Sequence, residues 1–363
     1  MSVAAWLALR DLSVHRRQVI ALGTVFAIAV AAFVALGSYR QALLEDYRPG
    51  QDDLLVIQQT QSFGEFYGSR LSPDIEAVLE GLGVVGAAAE IHSIVGTSLR
   101  DAVLLKGVDL EQYTVLDPFV LVAGRGLQPG DSPRQAMLGT RLAERLDAVP
   151  GETIRLRGRA FEVVGVFETG SYTENEAWIP LAGAQELLGW GQDVSLYVVA
   201  DDGKLTPGDQ ILGGVSVARR GELWSTFPRQ WEGLMALIGT VTQAIGVAAA
   251  LSLAAMLWRL ARRRQWQIAV LRSLGFSRSV FATYLMVQGA FVAFAGGACG
   301  ILGALALLRW VSPTLAGVSL RPQLTADLLI STGVWLGFLT VLSVVFPVGV
   351  LSRRRVVDLM SGE

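Results

Sequence analysis

"RRRQWQIAVLRSLGFSRSVFATYLMVQGAFVAFAGGACGILGALALL", Arg262 to Leu308, changes character part-way along. Arg262 to Val280 carries five arginines, no acid and a central Gly275, with apolar side chains interleaved; Val280 to Leu308 has no charged residue. A helix rises about 1.5 Å per residue and a bilayer core is about 30 Å thick, so about 20 apolar residues suffice to cross it. The second part predicts a transmembrane helix, and the first a cationic connection beside it.

Three further runs have the same character: Val19 to Gly37, Leu234 to Trp258, and Leu328 to Val350, none with an acid or a base. Inside lipid each backbone amide must be satisfied within its own segment, so uninterrupted runs of this kind read as spanning helices. Composition agrees, with 363 residues that are 52% hydrophobic, only 17% charged, and of mean hydropathy +0.46. Core helices of a large soluble protein are the rival explanation. The first run also resembles a signal peptide, since "ALGS" (Ala35 to Ser38) offers small residues for cleavage. Its apolar length exceeds the roughly 7–15 residues of a signal core, so it is read as a retained span.

Charge orients the spans. The leader, the second-to-third connection and the tail together hold 12 basic and 3 acidic residues, whereas Arg40 to Trp231 holds 16 basic and 27 acidic. Both termini and the Arg262 stretch are therefore expected in the cytoplasm, with the long loop outside. That loop, about 190 residues, is long enough for a domain with its own core. Strand-like pieces such as "DLLVIQQ", "AVLLKGV", "TIRLRGRAFEVVGVFE" and "VSLYVVA" alternate with helical ones, among them "SPDIEAVLEGL", with Ser72 as the expected N-cap, and "LGTRLAERLDA".

The fold class that follows is an integral membrane α-helical protein of four transmembrane helices, with one large extracytoplasmic α+β domain inserted between helices 1 and 2. The expected divisions are an amphipathic cytoplasmic helix (1–18), helix 1 (19–37), the outer domain (38–233), helix 2 (234–258), a cytoplasmic connection (259–279), helix 3 (280–308), an outer loop (309–327), helix 4 (328–350) and a cytoplasmic tail (351–363).

Several chemistries find no support. Only Lys106 and Lys204 are lysines, and neither lies in a phosphate-binding G-x-x-x-x-G-K-[ST] loop. There is no G-x-S-x-G elbow or H-E-x-x-H helix, and Asp52 with Asp53 or Asp201 with Asp202 read as solvated turns. One cysteine, Cys299, and two distant histidines, His15 and His92, predict no metal site. Nothing in the composition points to nucleic acid. Spans without an ionisable group mark no ion path. The Arg262 stretch itself has two readings: on a helix Trp266, Ala269, Val270, Ser273 and Leu274 form a stripe beside Arg264, Arg272 and Arg278, suited either to anionic lipid or to a cleft on a partner protein.

A resemblance separates these readings. Arg262 to Leu308 is similar to the FtsX-like permease domain of MacB-type (type VII) ABC transporters, whose pattern R-x-x-E-[IL]-x-[IL]-x-[KR]-x-[LV]-G-[AS] precedes a span with G-G-x-x-G, here Gly296, Gly297 and Gly300. "AMLGTRLAERLDAVPGETIRLRGRAFEVVGVFETGSYTENEAWIPLAGAQELLG" resembles the periplasmic core of the same permeases. The order of one span, a large outer domain and three spans agrees. The outer domain is shorter than in the large MacB-type subunits fused to their own ATPase and looks closer to stand-alone permeases such as the DevC and HrtB types, with LolC/LolE relatives as another branch.

The resemblance implies a non-enzymatic subunit of the bacterial inner membrane that works with two copies of an ABC ATPase. This chain would hold no cofactor, ATP and Mg2+ residing on the ATPase. A second permease subunit is expected, an identical copy in preference to a different one, with a periplasmic adaptor as an optional partner and the lipid membrane as surroundings. It also implies that Arg264, Gln267, Ile268, Val270, Leu271, Arg272, Leu274 and Gly275 form the coupling surface for that ATPase. Gln267 stands where the family usually has Glu, as does Gln288 early in the third span. Gly296, Gly297, Gly300 and Gly303, with Gln243 and Gln288, are expected to serve helix packing. Trp224, Phe227 and Trp231 are expected at the outer interface, on a stalk leading to the second span.

Overall fold

A computed structural model of the chain describes residues 10, 12, 14, 16–46, 54–60, 62, 68–97, 102–221, 232–263, 266, 270, 273, 275, 278–311, 314–315, 317–322 and 324–353. In order these form α1 (Arg16–Asp46), β1 (Leu54–Gln59), α2 (Asp74–Gly81), β2 (Ala88–Gly96), β3 (Ala102–Val108), α3 (Tyr113–Leu116), β4 (Val120–Gly124), β5 (Gln135–Gly139) and α4 (Thr140–Leu146). There follow β6 (Thr153–Leu156), β7 (Arg159–Glu168), a 3-10 turn over Tyr172–Asn175, β8 (Glu176–Pro180), α5 (Leu181–Leu188), β9 (Leu196–Ala200), β10 (Gln210–Leu212) and β11 (Val215–Arg219). The last elements are α6 (Glu232–Arg263), α7 (Arg278–Trp310), β12 (Thr314–Leu315), β13 (Val318–Ser319) and α8 (Ala326–Arg353).

Two compact units result: Met1–Gln41, Leu234–Ser312 and Pro322–Glu363 form one, and Ala42–Gly233 with Pro313–Arg321 forms the other. In the first, α1, α6, α7 and α8 are each long and apolar enough to cross a membrane. The 31 residues of α1 extend about 46 Å, more than a bilayer core needs, so the helix outruns its apolar run. The buried surface joins Phe26 and Ala29 of α1, Leu253 and Leu257 of α6, Leu285 and Val292 of α7, and Val344 of α8. Lipid provides no hydrophobic drive for that association, which leaves close packing and polar contacts to hold it. Ser343 Oγ in α8, for example, donates to the Ala250 carbonyl of α6 at 3.0 Å.

The second unit is built on an eleven-stranded sheet in the order β10-β11-β1-β9-β2-β3-β8-β5-β7-β4, with β6 added on β7. β3 with β8 and β5 with β7 run parallel; the other pairs are antiparallel. Alternation of side chains places two different sets on its faces. One face packs Ile91, Leu105, Leu138 and Ile179 under α2, α4 and α5, through Leu79, Leu142 and Ala184. The other gathers Met137, Val164, Phe167 and Trp178 under Tyr113 and Leu127.

One local expectation gains detail and another changes. "TIRLRGRAFEVVGVFE" is a hairpin, because Arg157 (φ 47°) and Gly158 (φ 79°) both take left-handed backbone and turn β6 onto β7 with Leu156 facing Arg159; this is the two-residue turn whose twist suits paired strands. Ser72 does not cap α2 with its side chain: its hydroxyl donates to the Asp74 carboxylate at 3.1 Å, and Pro73 stands at the cap. The 1–18 leader lies mostly outside the described residues.

A Cβ on Gly300 of α7 would sit 2.6 Å from the Ala27 carbonyl and 2.8 Å from Val30 Cβ of α1. Gly300→Val is therefore expected to cost about 1–3 kcal/mol by overpacking, and a lower thermal midpoint of the detergent-solubilised protein checks it, with Gly303→Val, where no atom lies within 4 Å, as the unaffected comparison.

Candidate functional site

The cationic connection begins where α6 ends at Arg263 and closes where α7 begins at Arg278. Along it Trp266 is exposed, Val270 half-buried, and Ser273 Oγ donates to the Val270 carbonyl at 2.8 Å. Gly275 has φ +90°, the left-handed backbone with which a helical turn ends and which glycine adopts without a Cβ clash. Arg262 lies over the Trp258 ring at 5.9 Å. Of the coupling candidates, Val270 and Gly275 are thus placed, whereas Arg264, Gln267, Ile268, Leu271, Arg272 and Leu274 lie outside the described residues, as do Trp224, Phe227 and Trp231.

The packing candidates fall in different surroundings. A Cβ on Gly296 would lie 2.8 Å from both the Gly23 carbonyl and Phe26 Cβ, so Gly296 and Gly300 bring α7 against the backbone of α1. Gly297 faces Leu336 of α8, while Gly303 faces open space. Gln243 of α6 accepts a hydrogen bond from Trp335 Nε1 of α8 at 2.9 Å, and the Trp335 ring stacks on Phe33 of α1 at 4.5 Å. That ring lies where a Cβ on Gly246 would be, so a bare glycine lets it in. Gln288 is fully buried in α7.

A polar cluster in the domain was not foreseen. Lys106 of β3, 1% exposed, reaches Glu90 Oε1 at 2.9 Å, touches Asp117 and lies 5.3 Å from the Trp178 ring. His92 Nε2 pairs with Glu90 Oε2 at 2.8 Å, and Arg220, just past β11, donates to Asp117 Oδ1 at 2.6 Å. The segment between α3 and β4 is thereby tied to the sheet and to the chain that continues toward α6. Glu176 completes the group: its Oε2 accepts from Trp178 Nε1 at 2.8 Å, and its Oε1 has no hydrogen-bond partner among the described residues.

Electrostatics differ between the two buried acids. Burial alone would raise the Glu90 carboxyl, but Lys106, the hydrogen bond with His92 and the Arg220 charge outweigh it and hold the group well below the ordinary carboxylate range. Burial likewise opposes the charge on Lys106, yet Asp117 and Glu90 hold its ammonium above the ordinary lysine value. Glu176 goes the other way: burial prevails over the nearby His92 and Lys106 and raises its pKa. Sequence offered one clue, a lysine within the apolar strand "AVLLKGV"; its partners come from positions 90 and 117, and the second of these also pairs with Arg220, groups that only the fold brings together. Among the described residues no group of acids, histidines and cysteines has the arrangement of a metal site.

A family profile described as the MacB-like periplasmic core domain matches residues 20–208, and one described as the FtsX-like permease C-terminal domain matches 240–356. The chain belongs to the MacB/FtsX-like family of type VII ABC permeases. It is accordingly a multi-pass membrane protein with an extracytoplasmic domain between its first two spans, in a family whose permeases work with an ABC ATPase. Among solved structures the permease is similar to the extracellular domain of the noncanonic ABC-type transporter YknZ from Gram-positive bacteria (20% identity, 41% of this chain and 84% of that one, TM-score 0.34). It is also similar to the periplasmic region of MacB from Actinobacillus actinomycetemcomitans (15% identity, 49% and 94%, TM-score 0.36) and to a domain of a permease protein from Porphyromonas gingivalis (14% identity, 47% and 91%, TM-score 0.31). Membership rests on the two profile matches and not on these distant likenesses. No curated protein matches the chain.

Lys106→Met leaves Glu90 and Asp117 buried without their shared cation and is expected to cost about 3–5 kcal/mol, read as a lowered thermal midpoint. Glu176, with its pKa raised in the folded state, contributes stability that is full below the ordinary carboxylate range and is lost as pH rises toward its folded value. Glu176→Gln is therefore expected to lose less stability than the wild type as pH rises above the ordinary carboxylate range, measured by thermal unfolding across a pH series.

Proposed function

We propose that this protein is the non-catalytic permease subunit of a MacB-like ABC transporter, in which ATP hydrolysis on a separate ATPase chain drives export or extraction of a hydrophobic or amphiphilic substrate. The carrying observation is the cationic, half-apolar stretch Arg262 to Val280 that joins α6 to α7, with five arginines and no acid. An apolar stripe can enter a cleft while flanking guanidinium groups pair with acids on its rim. In this reading two ATPase copies, carrying ATP and Mg2+, dock on the connections of two identical permease subunits in the bacterial inner membrane. Both termini and the connections lie in the cytoplasm.

The four apolar runs hold no acid or base, which favours transmission of movement through the helices over conduction through a charged path. Closure of the ATPases would work the outer domain by mechanotransmission, with the cargo (lipid, lipoprotein, peptide, haem or drug) handled on the outer side. The same absence of a path suits a second reading, an FtsX-like module that signals to a cell-wall hydrolase and carries nothing. Stimulation of the complex's ATPase by an amphiphile favours transport, and stimulation by a hydrolase or its adaptor favours signalling.

The first test is co-purification from native membranes in mild detergent. An ABC ATPase chain is expected with the wild type and lost, by roughly ten-fold or more for each buried charge of about 1.4 kcal/mol or greater, with Leu271→Asp and Leu274→Asp. Retention of the ATPase by both variants, or its absence from the wild type, overturns the reading.

A further inference from the structure

The connection between α7 and α8 belongs to the extracytoplasmic unit: Pro313–Arg321 is part of that compact body, although the helices on either side are part of the other. Its strands β12 and β13 pair as a small hairpin, Thr314 facing Ser319 and Leu315 facing Val318. Two residue pairs of strand are too little to stand alone in water, so what holds the hairpin is its seat on the domain.

That seat is built from within. Gly139, at the end of β5, lies so close to the Glu174 backbone that any Cβ would collide with it. The approach lets Arg141 Nε donate to Glu174 Oε2 at 2.9 Å, both side chains being buried, while the Gly170 amide donates to Glu174 Oε1 at 2.8 Å. The 3-10 turn is thus fixed and presents Asn175, fully buried, whose Nδ2 donates to the Tyr172 carbonyl at 3.0 Å. Its remaining oxygen, Oδ1, accepts from the Ser319 amide of the hairpin at 2.7 Å.

A second fastening lies at the turn. Arg145 of α4 donates to the Gly317 carbonyl at 2.7 Å and to the Ala102 carbonyl at 3.0 Å, joining hairpin and β3 through one guanidinium group. Gly317 has φ +91°, and a Cβ there would come within 3.1 Å of the Ala102 carbonyl. A third contact pairs Arg321 with Glu144. Three attachments over a few residues, one of them to a buried asparagine, supply the hold that two strand pairs alone do not.

We propose that this hairpin is a strap: it stays docked on the domain through Asn175, Arg145 and Glu144 and carries displacement of the outer ends of α7 and α8 into the extracytoplasmic fold. The domain is then worked through four chain crossings, the two leading to α1 and α6 and the two of the strap. The strap rests on the reading that ATP hydrolysis moves the helices; its docking does not.

The experiment uses the full chain with its co-purified ATPase. In a Cys299→Ser background, which removes the sole native cysteine, Glu144→Cys with Arg321→Cys is treated in membranes with a short bifunctional thiol reagent. Cross-linking is expected with and without ATP; its absence overturns the docking, whatever the ATPase does. Hydrogen exchange of residues 172–176 is then followed with and without ATP and vanadate. A nucleotide-dependent difference is expected in the wild type, and a fall of about five-fold or more in Ser319→Pro, Gly317→Val and Asn175→Ala, the scale of a modest coupling energy, with vanadate trapping retained. The first two variants alter only the hairpin, so a folding defect of Asn175→Ala does not decide the result. An undiminished difference in the hairpin variants, or no difference in a wild type that traps vanadate, overturns the strap. Failure to trap vanadate at all overturns the ATP-driven reading instead, and leaves the cross-link to judge the docking.

Discussion

Hydrocarbon offers no hydrogen-bond partner, and that constraint orders the rest of this molecule. Each stretch that crosses the membrane must close its backbone bonds within itself, so four helices form where four apolar runs occur. Charge is expelled to the connections, and the cationic patch between α6 and α7 is one result. With no hydrophobic drive between helices in lipid, contact must come from shape and scarce polar groups. Gly296 and Gly300 let α7 touch the backbone of α1, and Gln243 with Trp335 provides a hydrogen bond between α6 and α8.

Water reverses those terms in the extracytoplasmic unit, where burial of apolar surface drives the sheet to cover both faces. One face is an ordinary core beneath three helices. The other contains ions, which burial would penalise by several kcal/mol each were they not paired. Lys106 between Glu90 and Asp117, with Arg220 closing on Asp117, meets that requirement. Exchanging such ions for apolar side chains commonly costs little stability, so their value here lies in what they join: a loop, the centre of the sheet, and the strand that leads toward the second span. Glu176, sharing the same burial without a cation of its own, is pushed toward its neutral form.

Small residues carry the geometry of the seat. Gly139 lies in the stretch that resembles the periplasmic core of the permeases, and its role is steric: it admits the Glu174 backbone, which sets the 3-10 turn and Asn175. Gly317 does the same for the hairpin through its left-handed backbone and its approach to Ala102. A motif glycine is thus explained by the backbone it allows to come near.

Sequence by itself determined the spans, the connection of Arg262 to Val280 and the mixed character of the domain, because apolar length, charge placement and side-chain alternation are local quantities that need no partner. The family motifs were legible for the same reason, being short and ordered along the chain. Only the tertiary structure decided that Glu90, Lys106, Asp117 and Arg220 meet, since strand order, not sequence distance, makes them neighbours. It alone also decided that the Gly303 face is open where Gly300 is closed, and that a short outer loop is part of a domain in which its partners Asn175 and Arg145 lie more than a hundred positions earlier. Contacts of that kind depend on the relative placement of backbones, and no local pattern of residues encodes the distance between them.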